Sequence, residues 1–262
     1  MAAIGRVHLV MFLCAAGLFR CVDTNGLCMR VLRGRAETID ADRRVTTRLL
    51  EIAADGESAV RVWTPHRQVA FGRRDRRLEG YDRGRELADE RGFPSVERDV
   101  GGRAVAYDGE TTLAFARADP VADFRQGTDE RYERLTAAVE RALSELDCET
   151  VRGEPSNSFC PGSHSISTRA AGGSLQKLVG LAQRVRQDAA VTAGIVLVDN
   201  RDELAAVLAA VYDELDVAFD PESVGTVAAA DGQVDSGVVR ARFEDALIGE
   251  EDSANVTVSA VT

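Results

Sequence analysis

A domain that intermixes helices and strands is what this chain predicts, on three observations. Apolar residues recur with helical spacing in three separate stretches, 40–53, 129–146 and 202–215. Short runs with apolar alternation or β-branched residues lie between and around them, clearest at 59–63 and 189–198. And 45% of the 262 residues are apolar, enough for one domain with a sizeable core.

Taken in order, residues 1–28 stand apart. Arg6 precedes an apolar run, 7–19, that is too short to cross a membrane and imitates a weak secretory signal. Three of the five cysteines (Cys14, Cys21, Cys28) fall here, and Asp23 is the only acid. The expectation is a leader outside the fold, with translation beginning at Met29. Met29–Arg33 then reads as a first strand, and Asp40 as the N-cap of a helix carrying Val45, Leu49, Ile52 and Ala53 to a stop at Asp55-Gly56. After the strand at 59–63, His66 sits in a turn and Gln68–Phe71 is a short strand. A helix is expected over 78–91, stopped by Gly92, and another strand over 111–117.

Helix 129–146 places Tyr132, Leu135, Val139, Leu143 and Leu146 on one face, and its charges, Glu130, Arg131, Glu133, Arg134, Glu140 and Arg141, read as a solvated face. Strand 189–198 and helix 202–215, with Leu204, Val207, Leu208, Val211 and Leu215, follow. The tail holds one more helix, Ser236–Ile248, and an acidic end expected to fray. The organisation expected is therefore a leader, 1–28, a catalytic domain, 29–219, and a C-terminal extension, 220–262.

Composition excludes some chemistry. A net charge of −11 argues against non-specific nucleic-acid binding, since phosphates would be repelled. Forty-three acids, with arginine at nearly every basic position, read as adaptation to salt. No Cys-x-x-Cys occurs and the three histidines are far apart, so no metal site is expected. The Walker phosphate loop is absent. Cys148 ends an apolar periodic run and reads as a buried small hydrophobe.

The stretch 153–186 carries the chemistry. Cys160 stands in Ser-Phe-Cys-Pro-Gly, where Pro161 and Gly162 mark a tight turn that a substrate can approach. Lys177, in Lys-Leu-Val-Gly-Leu-Ala-Gln, is the only lysine in the chain. A protein that uses guanidinium elsewhere keeps a compact ammonium where a planar fork does not serve. Beside a thiol, an ammonium favours the thiolate, which is the nucleophile, so Lys177 is expected as the partner of Cys160. His164 offers a Cys-His alternative, but a strand over 163–168 need not turn it to the thiol. Upstream, Gly101-Gly102 lets the backbone approach a ligand, and exposed amides there can hold an anion or a carbonyl oxygen.

These strings together resemble the lipoate/biotin protein ligase superfamily, and most closely its cysteine-dependent octanoyl- and lipoyl-transferases. They are Ser-Phe-Cys-Pro-Gly, Ser-Ile-Ser and Lys-Leu-Val-Gly-Leu-Ala-Gln-Arg, with Arg98-x-x-Gly-Gly-x-Ala-Val upstream. The resemblance runs from about Met29 to about Val198. It implies an α+β fold with a mixed, largely antiparallel sheet flanked by helices. It implies Cys160 as acyl carrier and Lys177 as its assistant, and an acyl pocket lined by Arg98, Gly101, Gly102, Arg103, Ala104, Tyr107, Gly180, Ala193 and Gly194. Tyr107 stands where many members have histidine, and Ala193-Gly194 where many have His-Gly.

The implied reaction moves octanoyl or lipoyl through a Cys160 thioester to a lysine of a lipoyl domain, with no cofactor. Expected partners are glycine cleavage H protein or 2-oxoacid dehydrogenase E2, in the cytoplasm, with neither nucleic acid nor membrane. The alternative is an ATP- and Mg-dependent lipoate–protein ligase in which Lys177 contacts a lipoyl-adenylate. Against it, the Gly-x-Asn-Asp string of many such ligases is replaced here by Pro155-Ser156-Asn157-Ser158-Phe159-Cys160. A non-catalytic carrier-binding protein is the third class, disfavoured because both reactive residues are present.

Overall fold

The computed structural model describes residues 29–98, 101–232, 234–250 and 253–261; the expected leader lies outside the described residues. β1 (Met29–Arg33) opens them, as predicted. Next comes α1 (Ile39–Ala54), capped by Thr38 and not by Asp40. The Thr38 hydroxyl accepts from the Ala41 N–H at 3.2 Å, which leaves Asp40 in the first turn, where a negative charge suits the helix dipole. β2 (Ser58–Trp63) follows and is buried on both sides. Its alternation therefore separates two dry layers, with Val60 and Val62 in one and Ala59 in the other.

β3 (Gln68–Phe71) leads through a single turn to α2 (Tyr81–Glu90). This helix starts later than position 78 because Leu78 is extended, at ψ 145°, and ends the preceding turn. β4 (Ser95–Glu97) and β5 (Val105–Tyr107) pair with β3, the first parallel and the second antiparallel. The Gly101-Gly102 pair lies in their connection.

β6 (Thr112–Pro120) begins the central part of the main sheet, and α3 (Thr128–Ser144) follows it. One residue of α3 departs from the solvated-face expectation. Arg131 is buried, and its Nε donates to Gln183 Oε1 at 2.5 Å and its Nη1 to the Gln126 carbonyl at 3.0 Å. β7 (Val151–Arg152), β8 (Ser165–Arg169), β9 (Leu175–Val185) and β10 (Ala189–Leu197) complete an antiparallel run, and α4 (Arg201–Glu214) follows.

The tail is part of the fold. After the short α5 (Val227–Asp231), α6 (Ser236–Ile248) sends Val239, Phe243 and Leu247 into the main core, with the Phe243 ring 5.1 Å from that of Phe115. Then β11 (Val256–Ala260) pairs in parallel with β1, so the chain does not fray there as expected: its backbone groups are taken up by the sheet edge.

The eight-stranded sheet runs β11-β1-β2-β6-β10-β9-β8-β7, parallel over the first three and antiparallel onward; β4-β3-β5 form a smaller sheet. The expected mixed, largely antiparallel α+β fold is what forms. Along β6, Leu113 and Phe115 face the layer of α3 and α6, whereas Ala116 and Ala118 face α1. Small side chains there let α1 lie close to the sheet. Between Ile166 and Ser167 the β8–β9 register shifts, so Lys177, Leu178 and Val179 are buried in succession.

Candidate active site

Cys160 lies in the connection between β7 and β8, and that loop is tied down by a carboxylate. Glu154 accepts from the Ser158 hydroxyl at 2.5 Å, the Gly162 N–H at 2.7 Å and Lys177 Nζ at 2.6 Å. Within the loop, Cys160 has φ 42°, a left-handed conformation that few non-glycine residues adopt and that marks a constrained position. Its N–H donates to the Tyr212 hydroxyl at 2.7 Å, and that hydroxyl donates to the Ala104 carbonyl at 3.0 Å. One α4 side chain thus joins the cysteine loop to the glycine-rich loop. Burial pushes the Tyr212 phenol far above its ordinary range, so it stays protonated and able to donate.

Lys177 comes from β9 and is 1% exposed. Besides Glu154, its Nζ donates to the carbonyls of Phe159 and Cys160, each at 3.0 Å, and it lies 4.9 Å from the Phe159 ring centre. The expected meeting of Lys177 and Cys160 is found, but at the Cys160 carbonyl. The cation on the sulfur is Arg98, whose Nη2 donates to Sγ at 3.1 Å and to the Arg103 carbonyl at 2.5 Å. Gly102 lies against both: a Cβ there would be 2.7 Å from Sγ and 3.0 Å from Arg98 Nη2, and φ is 94°. Only glycine fits.

Beside Sγ opens a cavity of about 640 Å³, within the range of small-molecule sites. Its walls include the apolar side chains of Val105, Ala114, Phe115, Phe159, Val191 and Ile195. Of the residues expected to line an acyl pocket, Arg98, Tyr107, Gly180, Ala193 and Gly194 do so, together with Cys160 and Lys177. Gly101, Gly102, Arg103 and Ala104 do not form its wall. Gly102 backs the sulfur, Arg103 pairs with Asp75 at 3.3 Å, Ala104 holds Tyr212, and Gly101 is exposed. Gly194 is required by packing: a Cβ would fall 2.5 Å from Phe115 Cζ and 2.8 Å from the Gly180 carbonyl oxygen.

Tyr107, which stands where many members of the resembled family have histidine, is held neutral. Burial raises its pKa, against the opposing pull of Arg98. His164 stacks flat on Tyr132 at 3.8 Å, facing a separate hollow, and takes no part at the thiol. Cys148 is buried in the main core. Among the described residues no cluster of three or more His, Cys, Asp or Glu is set to hold a metal ion, and no helix is long and apolar enough to cross a membrane.

Sequence reading missed Glu154, Ser158 and Tyr212. Glu154 stood inside the chemistry-bearing stretch, and its spacing of four from Ser158 was the one available signal. Tyr212 carried none, since it looks like any other core position of an amphipathic helix.

The likeness to known proteins agrees with this geometry. Over 136 residues the chain is 34% identical to an octanoyl-[GcvH]:protein N-octanoyltransferase of Exiguobacterium sibiricum, covering 51% of this chain and 46% of that one. It is 31% identical to the protein of the same name from Anoxybacillus flavithermus, covering 52% and 47%. It is 29% identical to a lipoyl-[GcvH]:protein N-lipoyltransferase of Listeria monocytogenes, covering 48% and 44%. The matches thus span about half the length of these relatives. Among solved structures, a lipoate-protein ligase A bound with ATP shares the fold at TM-score 0.68 and 19% identity, over 90% of each chain. The bipartite lipoate protein ligase of Thermoplasma acidophilum does so at 0.63 and 17%, over 90% of this chain and 88% of that one. The model of the lipoyl protein ligase A/B catalytic domain matches residues 39–238, most of the described chain, and the protein belongs to that family.

Proposed function

We propose that this protein moves an octanoyl or lipoyl group from a carrier protein to a lysine of a lipoyl domain, through a thioester on Cys160. The observation that carries the reading is the placement of Cys160: a left-handed turn sets it in the wall of a cavity of about 640 Å³ with a largely apolar surface, and a guanidinium lies on its sulfur. Such a cavity suits a medium-length acyl chain, and a cysteine at its wall suits transfer of the acyl group's carbonyl.

The two half-reactions balance without a cofactor. The Cys160 thiolate attacks the acyl carbonyl carbon of the donor's amide; a C–S bond forms, and the donor lysine's amine leaves with a proton from water. The acceptor lysine's amine then attacks the thioester, a C–N bond forms, sulfur departs as thiolate, and the amine gives its proton back to water. Splitting the transfer this way replaces one difficult step with two easier ones. The relatives' names support a glycine cleavage H protein as donor, and E2 lipoyl domains fit as acceptors. The cytoplasm, where those carriers are made, is the proposed location.

The ATP-dependent alternative needs Lys177 free for an adenylate phosphate. Its ammonium is enclosed and committed to protein acceptors, so the residues present do not fit that role and no ATP or Mg step is assigned. Intact-mass spectrometry after mixing with octanoylated carrier, with and without ATP, tests the reading. An ATP-independent octanoyl adduct, lost in Cys160→Ala, is expected. Full lipoylation by Cys160→Ala with lipoate and ATP would establish the ligase instead.

A further inference from the structure

An ammonium has three N–H donors. Lys177 gives one to Glu154 and one each to the carbonyls of Phe159 and Cys160, so none remains for the sulfur. Its bonds hold the main chain that displays the thiol, and Glu154 fastens the same loop at Ser158 and Gly162. These two residues shape the turn.

Arg98 is placed differently. A guanidinium carries five N–H donors. Here Nη2 lies 3.1 Å from Sγ, while Nε is buried and has no hydrogen-bond partner among the described residues. The Arg103 carbonyl anchors the group from the glycine-rich loop, and the bare face of Gly102 leaves it room beside the sulfur. Burial works against the charge, yet the Arg98 pKa is held above the ordinary arginine value, chiefly by the Cys160 sulfur at its side.

We propose that Arg98 is a catalytic residue of the acyl transfer, its guanidinium held on the Cys160 sulfur to favour attack by it, with Lys177 and Glu154 as positioning residues. This rests on the Cys160 thioester reading. An arginine never gives up its proton near neutral pH, so the sulfur keeps a permanent cation. When sulfur attacks, the negative charge moves to the acyl oxygen, two bonds away. The same guanidinium lies beside the cavity wall to receive it. The Cys160 N–H, by contrast, is already given to Tyr212 and is not available as an oxyanion donor.

The test is alkylation of Cys160 by iodoacetamide in the full-length protein, followed on the tryptic peptide 153–169 so that other cysteines do not contribute. Folding of each variant is checked by thermal melting. Arg98→Gln is expected to slow alkylation at pH 7 by about tenfold or more, since a thiol reacts less readily without a cation beside it, with the gap closing toward alkaline pH. Arg98→Lys, which keeps a charge, should alkylate faster than Arg98→Gln at pH 7. In guanidinium chloride all forms should react alike. Arg98→Gln reacting at the wild-type rate, or slowed by one factor at every pH, overturns the proposal. If Arg98→Gln does not fold, Arg98→Met removes the charge with an apolar stem and is read by the same criteria. The assay needs no acyl donor, so failure of the transferase reading shows separately, as the absence of an octanoyl adduct on wild-type peptide 153–169.

Discussion

The Tyr212 hydroxyl sits between two loops that are distant in sequence, accepting from the Cys160 N–H at 2.7 Å and donating to the Ala104 carbonyl at 3.0 Å. It fixes the Cys160 backbone to the strand end that follows Gly102. Tyr212→Phe keeps the ring in its core site and strands both backbone groups. A loss of about 1–3 kcal/mol is expected, the usual cost of leaving a buried polar group unpaired, together with slower acylation of Cys160. Urea midpoints and single-turnover adduct formation check it; unchanged acylation in a destabilised Tyr212→Phe would reduce the bridge to a stability element.

Lys177→Arg conserves charge but not shape. The ammonium is enclosed, with Cε 3.4 Å from where a Cβ on Gly180 would be and three acceptors set for a point charge. A planar fork does not match that arrangement. Both the melting temperature and the acyl-transfer rate should fall. Glu154→Ala should cost more stability, about 3–5 kcal/mol, because it leaves a buried cation unpaired. A Lys177→Arg variant with wild-type melting and turnover would contradict this account.

Asp108 supplies a pH dependence. Burial alone would raise its pKa, but hydrogen bonds from the Thr111 hydroxyl and from the N–H groups of Thr112, Glu110 and Thr111 outweigh it and hold the carboxyl below its ordinary value. Its contribution to stability is therefore complete above the unfolded value, about 3.9, and is lost as pH falls through the lower folded value. Asp108→Ala should melt well below wild type at pH 7, and the deficit should narrow at pH 3. A deficit that grows on acidification would reverse the sign.

Salt acts on the whole molecule. Forty-three acids against 32 bases repel one another in the compact state, and counterions screen that repulsion. Exposed pairs such as Arg152 with Glu133 and Glu140 weaken in salt too, but such pairs are worth at most about 1 kcal/mol each. The melting midpoint should rise from roughly 0.1 M to about 1 M potassium chloride, where the Debye length shrinks about threefold. A falling midpoint would show the ion pairs to dominate.

Amphipathic spacing and turn residues alone placed most elements, because those signals are local: Gln68–Phe71 and Ser236–Ile248 were read with the bounds they have. Motif strings likewise mark Cys160, Lys177 and the glycine-rich loop. Tertiary structure decided what those strings cannot carry, namely which atom meets which. That Lys177 grips the Cys160 carbonyl while Arg98 reaches Sγ depends on a register shift between β8 and β9 and on a loop fastened by Glu154. That the tail closes the sheet depends on β1 offering an unpaired edge, a partner more than 200 residues away in sequence. Long-range pairing leaves no local periodicity to read, since its free energy comes from surfaces that meet only in the folded chain.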